Sequence, residues 1–246
     1  KDKTLIEDAA LKVELGNEIT DFIGKAYISK KPIKIKSNFQ NEINKEIEIT
    51  GRDAGTILKG LEITELVKGG DINIVIKYNK GEFSKYDATI NIDKFQVVDA
   101  PILVQLISTL SLTGLLNLLE QGGIYFEKGV ANLTFEDNIQ KIIGIEAFGE
   151  ALAISLDGWI DKKNDLLQIH GTMAPANLFN KIIEPFPLLS ELLTGGDKAG
   201  VVLTEFRLDG NISKPVISFR PLSSAPGLLR DILNLFRSDG KYITSN

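Results

Sequence analysis

The side chains able to do chemistry are few and scattered. His170 is the only histidine, in Leu167-Gln168-Ile169-His170-Gly171-Thr172, and the chain has no cysteine. Disulfides, thiolate zinc sites and cysteine nucleophiles are therefore excluded, and any Ser-His-Asp arrangement must use His170. Alternation puts His170 on one strand face with Gln168 and Thr172, opposite Leu167, Ile169 and Gly171. Ser155 and Asp157 share a face in the same way, with Leu156 opposite. A serine nucleophile needs a base in hydrogen-bond reach, and no GxSxG elbow presents one. Asp8, Asp21, Asp53, Asp71 and Asp99 are too dispersed for a calcium loop. Neither GxxxxGK[ST] nor GxGxxG occurs, so no phosphate loop is expected. Nothing marks a pair of acids for glycoside hydrolysis. The residues point to a protein that is not an enzyme, with no metal and no cofactor.

The elements around these residues are strands in the first hundred positions. Leu11, Val13 and Leu15 alternate with Lys12 and Glu14, and Ile33 and Ile35 with Lys34 and Lys36. Ile47 and Ile49 alternate with Glu46 and Glu48. Ile72, Ile74 and Ile76 alternate with Asn73 and Lys77 nearby, and Ile90 and Ile92 flank Asn91. A period of two means strands with one apolar and one wetted face, the pattern of antiparallel sheets. Gly16-Asn17, Lys31-Pro32 and Asn79-Lys80-Gly81 read as the joints. One short helix is predicted at about 53–60, with Asp53 as its cap.

The second half adds helices. Residues 100–120 read as a helix, broken near 111–114, followed by strands at about 123–135, 139–148, 150–160 and 164–172. Short helices at 177–183 and 187–194, strands at 199–209 and 214–219, and a helix at 226–237 complete the chain. Trp159 ends one strand before the polar loop Asp161-Lys162-Lys163-Asn164-Asp165 and reads as the cover of a sheet edge. Gly69-Gly70, Gly122-Gly123 and Gly195-Gly196 each close a Leu-rich segment, as glycine closes a helix at C′. Their unequal spacing excludes a fixed-period solenoid.

Residues 102–119 carry no charge, and eleven of the eighteen are aliphatic. Gln105, Ser108, Thr109, Ser111, Thr113, Gly114 and Asn117 would all have to be buried in a bilayer span, which is costly. A helix pair packed on an apolar sheet face is the expectation, with Leu106, Leu110 and Leu115 on its buried side. The segment 227–237 places Leu228, Leu229, Ile232, Leu233 and Phe236 at helical spacing. Leu229, Leu233 and Phe236 would cap the sheet from the other terminus, or touch a membrane or envelope partner.

Composition supports a large core. The chain has 246 residues, with 32 Ile and 31 Leu. The net charge is −5. Residues 1–100 carry 16 Lys+Arg against 17 Asp+Glu, and 101–246 carry 12 against 16. Neither part has the basic field of a nucleic-acid binder.

From Asp53 to Arg230 the chain resembles the AsmA-like C-terminal region of the YhdP, AsmA and TamB group of Gram-negative envelope proteins, YhdP-like members above all. The motifs are Asp53-Ala54-Gly55 with Gly69-Gly70, Val98-Asp99-Ala100-Pro101 before the Leu/Ser-rich helix, Gly123-Ile124-Tyr125-Phe126, and Gly158-Trp159-Ile160-Asp161. Gly171-Thr172-Met173-Ala174-Pro175, Phe186-Pro187-Leu188-Leu189 and Ala225-Pro226-Gly227-Leu228-Leu229-Arg230 follow in order. The resemblance implies a lipid-transfer bridge across the periplasm, carrying phospholipid toward the outer membrane, with an inner-membrane anchor that precedes this segment.

The combined expectation is a mostly β fold, a β-rich α+β chain. A long curved antiparallel sheet would form an apolar groove, covered or capped by amphipathic helices. Residues 1–99 would form one stretch of it and 100–246 the AsmA-like stretch, in one continuous sheet. Phospholipid acyl chains would lie on Ile72, Ile74, Ile76, Ile90, Ile92, Leu152, Ile154 and Leu156. The alternative is a structural or protein-interaction module supporting envelope assembly.

Overall fold

The computed structural model describes residues 7–15, 19–38, 44–79, 84–109, 116–117, 120, 122–175 and 203–222. The strands are β1 (Glu7–Leu15), β2 (Ile19–Ile28), β3 (Lys31–Asn38), β4 (Asn44–Arg52), β5 (Val67–Asn79) and β6 (Lys85–Val97). They continue as β7 (Ile124–Glu136), β8 (Ile139–Phe148), β9 (Leu152–Asp161), β10 (Leu166–Pro175), β11 (Leu203–Asn211) and β12 (Lys214–Leu222). Two helices interrupt them, α1 (Ala54–Gly60) after β4 and α2 (Pro101–Thr109) after β6. The fold is mostly β.

All twelve strands form one antiparallel meander, each hydrogen-bonded to its neighbours in sequence. β6 pairs with β7 along most of its length, so the sheet runs without a break through the boundary expected near residue 99. The joints 137–138, 162–165 and 212–213 all lie at one end of the sheet. The connections that carry α1 and α2 leave from the opposite end, as does the span between Pro175 and Leu203.

Period-two patterning is what places these strands. Isoleucines at 72, 74, 90 and 92 are buried while Asp71, Lys77, Asp87 and Asp93 are exposed. Where the pattern breaks, the backbone shows why. Lys94 has φ 57, and on the paired strand Gly69, opposite Phe95, and its neighbour Gly70 have φ 69 and 89. These left-handed residues skip one position and reset the facing of three strands. Beyond them Phe95, Ile124 and Phe126 turn inward, with the Phe95 and Phe126 rings stacked at 5.4 Å.

That corrects one reading of the sequence. Gly69-Gly70 does not end a helix; it is a kink inside β5, whereas α1 stops at Gly60 with Leu61 as its cap. Gly122 and Gly123 stand immediately before β7 with φ 136 and 116. Gly195-Gly196 lies outside the described residues. The joint expected at Lys31-Pro32 falls two residues earlier, at Ser29-Lys30, both with positive φ. The helices expected at 177–183, 187–194 and 226–237 also lie outside the described residues, as do 110–115 of the uncharged stretch. Among the described residues, no helix is long and apolar enough to cross a membrane.

Candidate functional site

Register, not local sequence, assembles the apolar face. One cross-strand row runs through all twelve strands: Leu11, Gly24, Ile35, Ile49, Ile74, Ile90, Ala131, Ile145, Leu156, Gly171, Phe206 and Phe219. Every member is aliphatic, aromatic or glycine. The next row toward the helix-bearing end passes through Ile33, Gly51, Ile72, Ile92, Gly129, Ala147, Ile154 and Met173. On the other side Ile47, Ile76, Ala88 and Leu133 pair in succession. Thus Ile72, Ile74, Ile76, Ile90, Ile92, Ile154 and Leu156 share one face. Leu152, two residues before Ile154, joins them by alternation.

Their exposure divides them. Ile72, Ile74, Ile90, Ile92 and Leu152 are buried, at 8% or less. Ile76, Ile154 and Leu156 are only half-buried and pack at the margin of the same cluster. Ala131, Ile145, Ala147, Ile160, Ile217 and Phe219 are half-buried too. The face therefore has a filled part and a part with surface to spare. Which part is which could not be read from alternation, because all eight residues alternate equally well.

The filling comes from both helices. Ile57 and Leu58 of α1, and Leu103, Leu106 and Ile107 of α2, belong to the same buried cluster. Ile57 reaches over Gly51, where a side chain on β4 would collide with it. Glycine at 51 therefore sets how closely α1 lies on the sheet. Leu106 was expected on a capping helix and is buried at 2% exposure. Leu110, Leu115, Leu229, Leu233 and Phe236 lie outside the described residues.

Two other inner-face glycines lie beneath aromatic rings. Phe95 covers Gly129 and Phe206 covers Gly171, each ring occupying the place of the missing side chain. Such cross-strand covering holds a glycine in a strand that would otherwise be weakened by it.

The opposite face carries most of the polar side chains, interrupted by Ile23, Val75, Val130 and Val216. Thr89 donates to Asn132 at 3.0 Å, Thr134 to Asp87 at 2.6 Å, and Asn73 to Glu48. Lys77 sits 3.6 Å from Glu46. At the mouth of α1, Asp53 accepts from the Thr56 backbone N–H at 3.2 Å and from its hydroxyl at 3.0 Å, with Lys31 Nζ at 2.7 Å. Burial pushes the Asp53 carboxyl up, but Lys31 and Thr56 together outweigh it and hold the group below its ordinary value.

The meander also gathers the candidates for polar chemistry. His170 lies opposite Asp157 on one side and Arg207 on the other, and Thr172 lies between Ser155 and Glu205. With Ser218 these residues line a depression of about 320 Å³ on the polar face of β9 to β12. His170 Nδ1 is 3.7 Å from Asp157 Oδ2, and the two side chains are 48% and 64% exposed. That separation is beyond hydrogen-bond length, and the pair is solvated. His170 and Ser155 with Asp157 were legible singly, but their meeting was not drawn from the sequence. The signal was there: the loop 162–165 closes β9 on β10 with Asp161 opposite Leu166, and counting back brings 157 to 170. Among the described residues no group of three His, Asp or Glu side chains could hold a metal ion.

No protein-family model, curated protein or solved structure matches the chain.

Proposed function

We propose that this chain is a non-enzymatic lipid-binding module, of the AsmA-like kind, that carries phospholipid acyl chains along the inner face of its sheet. The observation that carries the reading is the twelve-residue apolar row, unbroken from β1 to β12, on a sheet whose other face is mostly polar. A globular core needs a patch of apolar surface; a conduit needs a continuous strip. Acyl chains ask only for that surface, at about 25 cal/mol per Å² removed from water. The contact strip lies where burial is incomplete, along Ile76, Ala131, Ile145, Ile154, Leu156 and Phe219. The helix-bearing end, filled by α1 and α2, is the closed end of the strip.

In this reading the chain is the C-terminal part of a bridge in the periplasm of a Gram-negative bacterium, moving phospholipid between inner and outer membrane. Specific burial favours a second reading as well. Ile72, Ile74 and Ile90 are covered like core residues, which suits a structural module that docks envelope proteins.

Photo-crosslinking separates the two. A photoreactive residue at Ile145 or Leu156 should capture phospholipid in cells, and one at Asn73 or Asn91, on the polar face, should not. Equal labelling of both sets, or labelling of neither, favours the structural module. Native mass spectrometry of the purified chain should also show co-purifying lipid.

A further inference from the structure

We propose that the outer face of the β2–β3 hairpin is a docking surface for an anionic phospholipid bilayer, met at its headgroups. The inference does not rest on the acyl strip, which lies on the other face of the sheet. Between Asp21 and Glu42 the sequence carries Lys25, Lys30, Lys31, Lys34 and Lys36, with no acid and no arginine. The whole chain is at −5, so this run stands against the overall sign. The strands bring it onto one surface. Lys25 lies directly opposite Lys34, and Ile23 lies between Lys12 of β1 and Lys36 of β3. These four lysines are exposed, while Ala26, Ile28, Ile33 and Ile35, at alternate positions, are buried on the inner face. Lys31 is taken up by Asp53 at 2.7 Å. Among the described residues, Lys12, Lys25, Lys34 and Lys36 form no ion pair. Carboxylates stand only at the borders: Glu7 opposite Tyr27, Asp8 in the adjoining bulge, and Glu48 opposite Lys36, engaged by Asn73.

Two features select the partner. Like charges directly opposite each other on a sheet repel, so Lys25 and Lys34 gain from a layer of negative charge laid over them. Amid the lysines Ile23 and Tyr27 protrude, 56% and 41% exposed. A bilayer interface accepts both kinds of side chain at once. Lysines reach the headgroup phosphates while an aliphatic and a tyrosine side chain enter the layer beneath. An acidic peptide or a nucleic acid would match the lysines but leave Ile23 against charged groups. The use of lysine alone also fits, because mobile headgroups call for point charges and not for a rigid bidentate fork. The negative remainder of the chain turns this hairpin toward an anionic surface.

The test is co-sedimentation of the whole chain with vesicles of phosphatidylcholine alone and of phosphatidylcholine with phosphatidylglycerol. Binding should require phosphatidylglycerol and fall as salt is raised. Lys25→Gln with Lys34→Gln should weaken it about 25-fold, about fivefold for each charge lost near the surface. Lys162→Gln with Lys163→Gln removes the same charge from the exposed loop after β9 and should change binding little. Ile23→Ser should weaken binding while leaving its salt dependence in place. No binding to the anionic vesicles overturns the proposal, as does equal loss from the two lysine pairs. So does an Ile23→Ser variant that binds like wild type, or tighter binding to polyglutamate or DNA than to the anionic vesicles. Equal binding to both kinds of vesicle also overturns it, by assigning membrane contact to the apolar inner face. None of these outcomes bears on lipid capture at Ile145 and Leu156, which the photo-crosslinking reads separately.

Discussion

Asp53 concentrates several jobs in one side chain. It sits in the left-handed region at φ 71, caps α1 through Thr56, and pairs with Lys31 across the β3 start. Removing the cap with Asp53→Ala should cost about 1 kcal/mol in urea denaturation. Asp53→Asn keeps a capping oxygen and removes only the charge. The folded carboxyl titrates below its ordinary value of 3.8, so its stabilisation is complete above about pH 4 and drains away as pH falls through the lower folded value. The stability gap between wild type and Asp53→Asn should therefore be open at neutral pH and close in strong acid. A gap that persists unchanged in acid would mean that the charge is not what matters. At Gly171, a side chain would overlap the Phe206 ring. Gly171→Val should destabilise by about 1–3 kcal/mol, the usual cost of overpacking. Adding Phe206→Leu should restore part of it, because the residues are in contact and their effects do not add.

At the scale of elements, the strands were legible because their isoleucines alternate with charge over long stretches. The hairpin loop after β9 was legible from its Asp and Asn residues; Asp161 accepts from the N–H groups of Lys163 and Asn164, both at 3.0 Å. The kink at Gly69-Gly70 was not, because a glycine pair reads equally as a helix stop and as a bulge until its partner strand is known. Lys94 gives no local signal of its left-handed φ; the only hint is that apolar positions jump from 92 to 95. The depth of the inner face was illegible for a similar reason, since curvature and helix placement decide it. Leu106 tests the helix part. It is almost fully buried on α2, so Leu106→Lys places an ammonium in an apolar cluster at a cost of several kcal/mol. The variant should either lose that stability in urea or lift α2 away and bind a hydrophobic dye. A variant as stable as wild type that binds no dye would show that α2 does not close this end.

At the scale of the molecule, an open meander has two terminal strands, and β12 carries a defence against further pairing. The loop 212–213 joins β11 to β12 with Asn211 opposite Lys214. In a two-residue hairpin that closing pair exchanges both hydrogen bonds, and pairs alternate from there. Pro215, Ile217, Phe219 and Pro221 are then the residues whose backbone points away from β11. Two of these four positions have no N–H to offer. Proline at such places blunts an edge that would otherwise template another strand. A long sheet with one face apolar needs this protection, because an added strand would extend the strip in both register and chemistry. Replacing the two prolines together, Pro215→Thr with Pro221→Thr, restores two outward donors without touching the inner row's central members. The variant should form dimers or larger species at concentrations where wild type elutes as a smaller one, seen by size exclusion with light scattering. A charged residue at the exposed Val216, as in Val216→Lys on the same background, should reverse part of that association. If the double variant elutes like wild type at every concentration, the prolines are not what limits growth of the sheet at β12.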